Sequence, residues 1–254
     1  MPMQLDLSDR VAVVTGISDG GIGGSIAEAF VAAGADVALF YRNAQTAAEA
    51  LADRLVGEGA SVRAYGGDLC DETTVARLFD EVGADFGRLD VLVNNAAAQP
   101  VVPLGDMTVT DWRDVLDANT ASTFLCSQAA VDRMERGSSI VHIASIEGHR
   151  MAHGHAHYCA SKAAVLMHAR SAAVEYAPRG VRVNSVSPGL IEREGLRDAW
   201  PEGVQRWEAA APAGRLGRAT DVANACVFLA SPLAEWITGT DLVVDGGVSA
   251  VPTW

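Results

Sequence analysis

Short apolar runs recur along the chain and alternate with longer amphipathic stretches. The runs contain many β-branched residues, which are typical of strands buried in a parallel sheet. They predict strands at residues 11–15, 37–41, 62–65, 91–93, 139–144, 181–187 and 242–244. Strands that alternate with helical segments indicate an α/β fold, a doubly wound parallel sheet with helices on both faces. No linker-like tract or repeat interrupts this pattern, so residues 1–254 are predicted to form a single domain.

A glycine-dense turn follows the first predicted strand. It runs from Gly16 to Gly23 and leads directly into an amphipathic helix. Glycine permits a tight turn and the close approach of a diphosphate, and a helix N-terminus offers free N–H groups. Alone, such a turn is weak support, because ordinary tight turns between a strand and a helix also use glycine. Its place after the first strand of a long α/β pattern favours a dinucleotide-binding turn.

Tyr158 and Lys162 form a candidate acid–base pair. Residues 157–176 are predicted to be helical, and side chains four residues apart lie on the same face of a helix. A free phenol has a pKa of about 10, so it needs a nearby cation to act as a base near neutrality. Lys162 can be that cation, and Ser145 adds a hydroxyl at the end of a predicted strand. For an isolated pair, a half-buried ring and a solvated lysine are the better interpretation, but the glycine-dense turn reverses this preference.

Together these features resemble the short-chain dehydrogenase/reductase family over essentially the whole chain. The matching motifs are Thr15-Gly16 with Gly21-Ile22-Gly23, Asp68-Leu69, Asn94-Asn95-Ala96-Ala97 and Pro188-Gly189, with Asn119, Ser145, Tyr158 and Lys162 at the catalytic positions. The chain is most similar to the sugar and secondary-alcohol dehydrogenases and the ketoacyl-type reductases. The resemblance implies a Rossmann-type fold and an NAD(P)(H)-dependent enzyme that interconverts a secondary alcohol and a ketone by hydride transfer.

The resemblance also implies a role for each catalytic residue. Tyr158 takes the alcohol proton in oxidation and returns it in reduction. Lys162 lowers the pKa of the phenol and holds the nicotinamide ribose, while Ser145 hydrogen-bonds the substrate oxygen. Asn119 holds a water that links Lys162 to solvent, unless it is only a polar residue that bends its helix.

A set of cofactor contacts follows from the same resemblance. It consists of Gly16, Ser18, Asp19, Gly21, Ile22, Gly23, Tyr41, Arg42, Asn43, Asp68, Leu69, Asn95, Ala96, Tyr158, Lys162, Pro188, Gly189 and Ile191. The chain departs from the family pattern in three places. One extra residue follows Gly16, so either Gly20 or Gly21 contacts phosphate. Ala97 replaces a glycine, and Arg193 stands near a position where the family often has a threonine that holds the nicotinamide amide.

The end of the second predicted strand bears on the choice between NADP and NAD. An acidic residue there selects NAD in folds of this kind, whereas an arginine accommodates the 2′-phosphate of NADP. Arg42 occupies this region and can pair with a phosphate through two hydrogen bonds, although it can equally be a solvated loop cation. Asp19, in the glycine-dense turn, argues against NADP. The sequence favours NADP(H), with NAD(H) as the alternative.

Residues 190–213 are predicted to form an amphipathic lid over the substrate. Trp200 and Trp207 indicate an apolar or mixed pocket, unless they pack only against the body of the protein. The predicted substrate contacts are Ser145, Glu147, His153, Tyr158, Leu190, Leu196 and Trp200. The substrate is expected to be a small-molecule alcohol or ketone.

Composition excludes several classes of partner. The net charge of −13 argues against nucleic acid, because phosphate backbones need a basic surface. The start of the chain lacks a basic segment followed by an apolar one, and no apolar run approaches the roughly 20 residues of a membrane span. The expected location is therefore cytoplasmic, with no membrane partner.

A cluster of histidines invites comparison with a metal site. His149, His153, His155 and His157 alternate along the chain, and alternate residues of an extended segment point the same way. A loop lining the substrate pocket is the favoured interpretation, because no cysteine or carboxylate set completes a metal shell. The four cysteines have no metal-ligand or redox-pair spacing and are read as reduced packing residues.

A homo-oligomer, most plausibly a tetramer, is predicted from alanine-rich stretches after Asp111 and His157 and from the family resemblance. The alternative is that these alanines pack on the sheet of their own subunit. An apolar tail at residues 251–254 is predicted to dock on a neighbouring subunit. Two other functions remain open: a non-catalytic dinucleotide-binding protein, and an enoyl reductase or epimerase on the same fold. The first does not need Ser145 and Tyr158, and enoyl reductases generally place the tyrosine and lysine further apart.

Overall fold

The structure, a computed structural model, describes residues 5–57 and 59–250. Its strands are β1 (Val11–Thr15), β2 (Asp36–Tyr41), β3 (Val62–Gly66), β4 (Leu89–Asn94), β5 (Met134–Ile143), β6 (Arg182–Pro188) and β7 (Asp241–Val244). In this part of the chain they form one sheet in the order β3-β2-β1-β4-β5-β6-β7, and every neighbouring pair is parallel. The predicted α/β fold with a parallel sheet is confirmed.

The helices fill the connections between these strands. They are α1 (Ile22–Ala32), α2 (Gln45–Val56), α3 (Glu72–Phe86), α4 (Val109–Leu116), α5 (Ser122–Val131), α6 (Ala156–Tyr176), α7 (Leu196–Ala199), α8 (Pro201–Ala210) and α9 (Ala219–Ala230). A π-helical turn, Asp117–Ala121, joins α4 to α5 and contains Asn119. The predicted helix 157–176 corresponds to α6.

Two apolar cores lie on opposite faces of the sheet, because successive side chains of a strand point to opposite faces. Val14 and Leu39 pack with residues of α1, α2 and α9 on one face. Val13 and Phe40 pack with residues of α3, α5 and α6 on the other, where the rings of Phe40 and Phe79 meet edge to face at 5.4 Å. Helices thus cover both faces, as predicted.

Strand β5 begins five residues earlier than the sequence predicts. Residues 135–137 are polar or glycine and are exposed, so they add no apolar signal even though they extend the strand from Met134. They lie between the pairs Met134/Leu89 and Ser139/Val91, where the register of β5 on β4 is irregular. Main-chain pairing of this kind leaves no mark in the hydrophobic pattern.

The chain order reverses between β1 and β4, which lie side by side at the middle of the sheet. At such a switch point the loops at the carboxyl ends of the strands leave a crevice, and this is where open α/β sheets bind ligands. The glycine-dense turn follows β1, Asn95 follows β4, Ser145 follows β5 and Gly189 follows β6. The predicted site residues therefore meet at one edge of the sheet.

No helix among residues 5–57 and 59–250 combines the length and the apolar character of a membrane span. The N-terminal residues 1–4 and the predicted docking tail 251–254 lie outside the described residues. The single domain and the cytoplasmic location stay predictions.

Candidate active site

Asn95 ties the glycine-dense turn to the end of β4. Its side-chain Nδ2 donates to Thr15 O at 2.9 Å and to Gly16 O at 3.1 Å, and Thr15 Oγ1 accepts from the backbone N–H groups of Asn95 and Ala96. Gly16 has a φ of +75°, and a Cβ there would lie 2.5 Å from Ala96 Cα. Glycine is therefore required at Gly16, both by its backbone conformation and by the close approach of Ala96.

The extra residue of this turn is accommodated at its tip. Gly20 has a φ of +62°, and among the described residues other than Gly20 and its two chain neighbours no atom lies within 4 Å of the position that a Cβ would take. Gly21 caps α1, but no side chain hydrogen-bonds the free N–H groups of the first turn of that helix. An open glycine tip over an uncapped helix N-terminus fits the diphosphate of a dinucleotide. The residues present thus fit the predicted cofactor.

The end of β2 and the loop after β3 form the predicted adenosine end of the site. Arg42 is exposed, and its positive charge counteracts the burial that raises the pKa of Cys70 to about 11. Asp68 Oδ1 accepts from Cys70 N at 3.0 Å, whereas the Leu69 side chain is part of the apolar core. Arg42 and Asp68 therefore face the same region.

Ser145 lies two residues after the end of β5 and caps the short turn that follows. Its Oγ accepts from Glu147 N at 3.1 Å, at the start of the short helical turn Ile146–Gly148. A Cβ on Gly148 would lie 2.9 Å from the backbone carbon of Lys162, so this turn packs directly on α6. The Ser145 proton remains available for a substrate oxygen or for Tyr158.

Tyr158 and Lys162 are both buried in the first turns of α6, on the face that meets Ser145. Lys162 Nζ lies 5.6 Å from the centre of the Tyr158 ring and donates to Ile143 O at 2.7 Å. Burial lowers the pKa of Lys162 to about 8. The predicted pair is thus brought together next to the end of β5.

The pKa of Tyr158 is raised, in contrast to the lowering that the sequence predicts from Lys162. Burial is the largest cause, since it disfavours the phenolate, and the negative charge of Glu147 adds to it. A hydrogen bond with Ser145 acts in the opposite direction. The Lys162 ammonium is directed at a backbone carbonyl, so burial outweighs its influence on the phenol.

Both amide N–H donors of Asn119 are engaged, and its amide oxygen already accepts one hydrogen bond. Its Oδ1 accepts from Ala98 N at 2.7 Å, and its Nδ2 donates to Ala98 O at 3.0 Å and to Ser161 Oγ at 2.9 Å. The side chain ties the loop after β4 to α6, one residue from Lys162. A water-holding role stays a prediction and would fall to the main-chain carbonyl, which already accepts from Thr123 Oγ1.

The histidine cluster diverges in three dimensions. His149 pairs with Asp241 at 2.7 Å, and His157 Nδ1 accepts from Tyr158 N at 2.9 Å. His155 pairs with Glu147, while His153 is exposed. In the described part of the chain, no group of three or more histidine, cysteine or acidic side chains could hold a metal ion.

His155 and Gln99 lie beside the predicted site but were not among the predicted substrate contacts, although His155 belongs to the histidine segment that was expected to line the pocket. His155 Nδ1 is 2.8 Å from Glu147 Oε2, and the His155 and Tyr158 rings meet edge to face at 5.9 Å. Helical spacing could have identified His155, because it precedes Tyr158 by three residues. Gln99 carries no such signal, since it lies in an irregular loop.

The predicted lid contains α7 and α8. Leu196 is buried with Val204 and Leu216, and Leu190 and Trp207 pack against them. The Trp200 ring is packed so closely on Gly203 that a Cβ there would overlap it, although Trp200 itself is half exposed. An ion network of Arg197 with Glu192 and Glu208 joins the two ends of the segment. Trp207 therefore packs within the lid and against Gly189 at the end of β6, whereas Trp200 keeps an exposed surface.

Comparison with known proteins agrees with this geometry. A family model described as enoyl-(acyl carrier protein) reductase matches residues 16–249. D-threitol dehydrogenase of Mycolicibacterium smegmatis is 40% identical over 245 residues, which cover 95% of this chain and 93% of the relative. The 3-oxoacyl-(acyl-carrier-protein) reductase of Staphylococcus aureus is 37% identical over 242 residues, with coverages of 94% and 98%. A short-chain dehydrogenase from Burkholderia cenocepacia, solved in complex with NADP, superposes with a TM-score of 0.90 at 33% identity, with coverages of 96% and 99%.

Proposed function

Because the chain belongs to the short-chain dehydrogenase/reductase family, we propose that this NAD(P)-dependent oxidoreductase interconverts a secondary alcohol and a ketone. One observation carries the proposal. Ser145, Tyr158 and Lys162 meet at the carboxyl-end edge of the sheet, the same edge that carries the glycine turn and the reversal of strand order between β1 and β4. A proton-transfer group and a dinucleotide cradle therefore share one crevice.

The proton chemistry follows from the surroundings of the phenol. A buried, protonated Tyr158 is well suited to give its proton to the oxygen of a ketone as that oxygen gains negative charge. The Ser145 hydroxyl can donate to the same oxygen, because its contact with Glu147 N uses only a lone pair and leaves its proton available. In the oxidation direction, Tyr158 takes the alcohol proton, and the neighbouring Lys162 ammonium favours the phenolate that this requires.

The cofactor is proposed to be NADP(H), with NAD(H) as the alternative. When bound, it accepts or supplies the hydride. The first turn of α1 would hold the diphosphate, Arg42 the 2′-phosphate, and Lys162 the nicotinamide ribose near Pro188 and Gly189. Support for NADP comes from the exposed Arg42 and from the NADP-bound relative, whereas Asp19 favours NAD.

The substrate is proposed to be a small alcohol or ketone that enters under the 190–213 lid. Glu147, Leu190, Leu196, Trp200 and His153 are its proposed contacts beyond Ser145 and Tyr158. Names of relatives support this class, since one is a threitol dehydrogenase and another reduces an oxoacyl group. A homotetramer is proposed as the assembled form.

An enoyl reductase is the second candidate, because the matching family model carries that description. The spacing of four residues between Tyr158 and Lys162 supports carbonyl chemistry instead. A panel of secondary alcohols, ketones and enoyl thioesters, assayed by nicotinamide absorbance with NADP(H) and NAD(H), separates the candidates. We expect turnover of alcohols and ketones. Turnover of enoyl thioesters alone would favour the second candidate, and cofactor binding without any turnover would refute both.

A further inference from the structure

Glu147 is held beside the proposed catalytic residues by its own backbone. It lies in the turn Ile146–Gly148, in which the Glu147 N–H group donates to Ser145 Oγ, and Gly148 packs this turn on α6 at Lys162. The backbone of Glu147 is therefore fixed next to Ser145, and the pairing with His155 orients its side chain.

Only one oxygen of the Glu147 carboxylate is well engaged. Oε2 lies 2.8 Å from His155 Nδ1 and 3.8 Å from Cys159 Sγ. Within residues 5–57 and 59–250, the one hydrogen bond to Oε1 comes from Gln99 Nε2 at 3.5 Å, which is long for such a bond. Oε1 can therefore accept from a further donor.

His155 positions the carboxylate without neutralising it. The buried Nε2 of His155 makes no hydrogen bond within the described part of the chain. An imidazolium would bury a second N–H group without an acceptor, so the neutral ring with its proton on Nδ1 fits the site better. The pair then keeps the negative charge of Glu147. Its side chains are only 22% and 16% exposed, so water screens this charge incompletely.

The charge of Glu147 is felt at the reacting groups. After burial, it is the largest cause of the raised pKa of Tyr158. Glu147 follows Ser145 by two residues and its charge acts on Tyr158, so a substrate oxygen bound by these two hydroxyls would bring a substituent on the next carbon within the influence of this carboxylate. The nature of that substituent decides whether Oε1 gains a hydrogen bond or meets a like charge.

We propose that Glu147, positioned by His155, selects substrates with a neutral hydroxyl on the carbon next to the reacting carbon and disfavours a carboxylate or phosphate there. The inference rests on the proposed alcohol and ketone activity. A hydroxyl donates to Oε1, whereas an anion is placed against a partly buried negative charge. The substrate class is thus vicinal diols and polyols, together with the corresponding hydroxyketones.

Two matched substrate sets test this selectivity. One is isopropanol, propylene glycol and 3-hydroxybutyrate; the other is cyclohexanol, the vicinal cyclohexanediol and the vicinal hydroxycyclohexanecarboxylate. The neighbouring carbon carries hydrogen, hydroxyl or carboxylate in turn. We expect kcat/KM of the wild type to be highest for the diol and lowest for the hydroxy acid in at least one set.

Variants of Glu147 separate charge from hydrogen bonding. Glu147→Gln keeps the shape of the side chain and its acceptor oxygen but removes the charge. It should therefore raise the kcat/KM for the hydroxy acid, relative to that for the diol, by about tenfold or more. Glu147→Ala also removes the acceptor oxygen and should lower the kcat/KM for the diol, relative to that for the simple alcohol, by about tenfold. Glu135→Gln, at the exposed start of β5 on the opposite edge of the sheet, is the matched control and should change neither ratio.

His155 is tested as a positioning residue by rescue. His155→Ala should lower the ratio of kcat/KM for the diol to kcat/KM for the simple alcohol. His155→Asn, whose amide nitrogen can replace Nδ1, should restore this ratio. Cofactor binding, followed by nicotinamide fluorescence, shows that each variant is folded.

The outcomes distinguish this inference from the proposed function. The inference is overturned if Glu147→Gln and Glu147→Ala scale kcat/KM of all three substrates by one factor. It is also overturned if the wild type oxidises other secondary alcohols but neither diol. A wild type that is inactive with every alcohol and ketone, with both cofactors, overturns the proposed function and the inference with it.

Discussion

Tyr158 is buried in surroundings that favour its neutral phenol, and these surroundings determine which direction of proton transfer is easier for it. Burial and Glu147 raise the pKa of Tyr158, while the nearby Lys162 is itself shifted towards its neutral form by burial. Proton donation to a developing alkoxide is therefore the easier direction for the phenol at neutral pH. Oxidation should benefit from alkaline conditions more than reduction does.

Replacement of Tyr158 by phenylalanine tests its role directly. Tyr158→Phe keeps the ring and removes the proton, so kcat should fall by about 10²- to 10⁴-fold, or roughly 3–5 kcal/mol at the transition state. Cofactor affinity should change little. Tyr176→Phe, near the far end of α6, is the control for loss of a phenol from the same helix. A Tyr158→Phe enzyme with near-wild-type turnover would refute the assignment.

Arg42 decides the proposed preference for NADP. If it binds the 2′-phosphate, Arg42→Ala removes a charge-assisted hydrogen bond that only NADP makes, and KM for NADP should rise about 10- to 100-fold. KM for NAD should stay nearly constant. Arg113→Ala, on the exposed side of α4, controls for a general loss of positive charge. Equal changes in KM for the two cofactors would contradict the role of Arg42.

At the scale of elements, a chain of polar side chains links β4, β5 and α6 beneath the site. Asn94 Nδ2 lies 3.1 Å from His142 Nδ1, and His142 Nε2 lies 3.1 Å from His168 Nδ1. An amide nitrogen only donates, so His142 accepts on Nδ1 and donates from Nε2. Added protons would place two donors face to face, and burial accordingly lowers the pKa of both histidines.

The hydrogen-bonded series Asn94, His142 and His168 should make the stability of the fold sensitive to mild acid. The folded-state pKa of each histidine lies below the unfolded value of about 6.5. The contribution of these neutral histidines to the free energy of unfolding is therefore fully present above about pH 6.5. It is lost as the pH falls below that value, by up to about 1.4 kcal/mol per pH unit for each histidine. His142→Asn cannot titrate at this position, so its stability should fall less between pH 6.5 and 5. Thermal unfolding at fixed protein concentration measures this difference.

The control for this experiment is His153→Asn, which replaces an exposed histidine. It should keep the wild-type dependence on pH. If His142→Asn also keeps that dependence, the buried hydrogen-bonded histidines do not determine how the stability of the protein responds to acid.

At the scale of the whole molecule, the alanines that suggested an oligomer divide into two groups. Ala130, Ala169, Ala172 and Ala173 are buried in the core of their own subunit, as the alternative interpretation held. Ala163 and Ala164 are exposed on α6, and larger apolar side chains on α5 and α6 are exposed nearby in sequence: Phe124 by 47%, Met167 by 57% and Val174 by 77%. These larger side chains now provide the better support for self-association.

The homotetramer is tested by light scattering at micromolar concentration. We expect a mass of four chains for the wild type, and smaller species for Phe124→Glu and Met167→Glu, because a buried unpaired charge disfavours an interface. Leu104→Glu, on an exposed loop after β4, should leave the mass unchanged. A monomeric wild type would refute the prediction.

The sequence alone determined the features that depend on local pattern. The apolar runs locate at least part of every strand of the described sheet, because the central residues of these strands pack into the apolar cores on its two faces. The spacing of Tyr158 and Lys162 places them on one helical face, and the motif resemblance supplies Ser145, Asn119 and the glycine turn. Each of these signals is carried either by residues close together in the sequence or by the order of the motifs along the chain.

Only the tertiary structure decided which side chains meet across distant segments. It selects His155 rather than His153 as the partner of Glu147, sends His149 to Asp241, and occupies the Asn119 amide with Ala98 and Ser161. It also reverses the expected direction of the Tyr158 pKa, since that direction depends on burial by the whole fold rather than on the neighbour four residues away. Local periodicity states which face a side chain occupies, but its partners and its dielectric surroundings come from segments packed against that face.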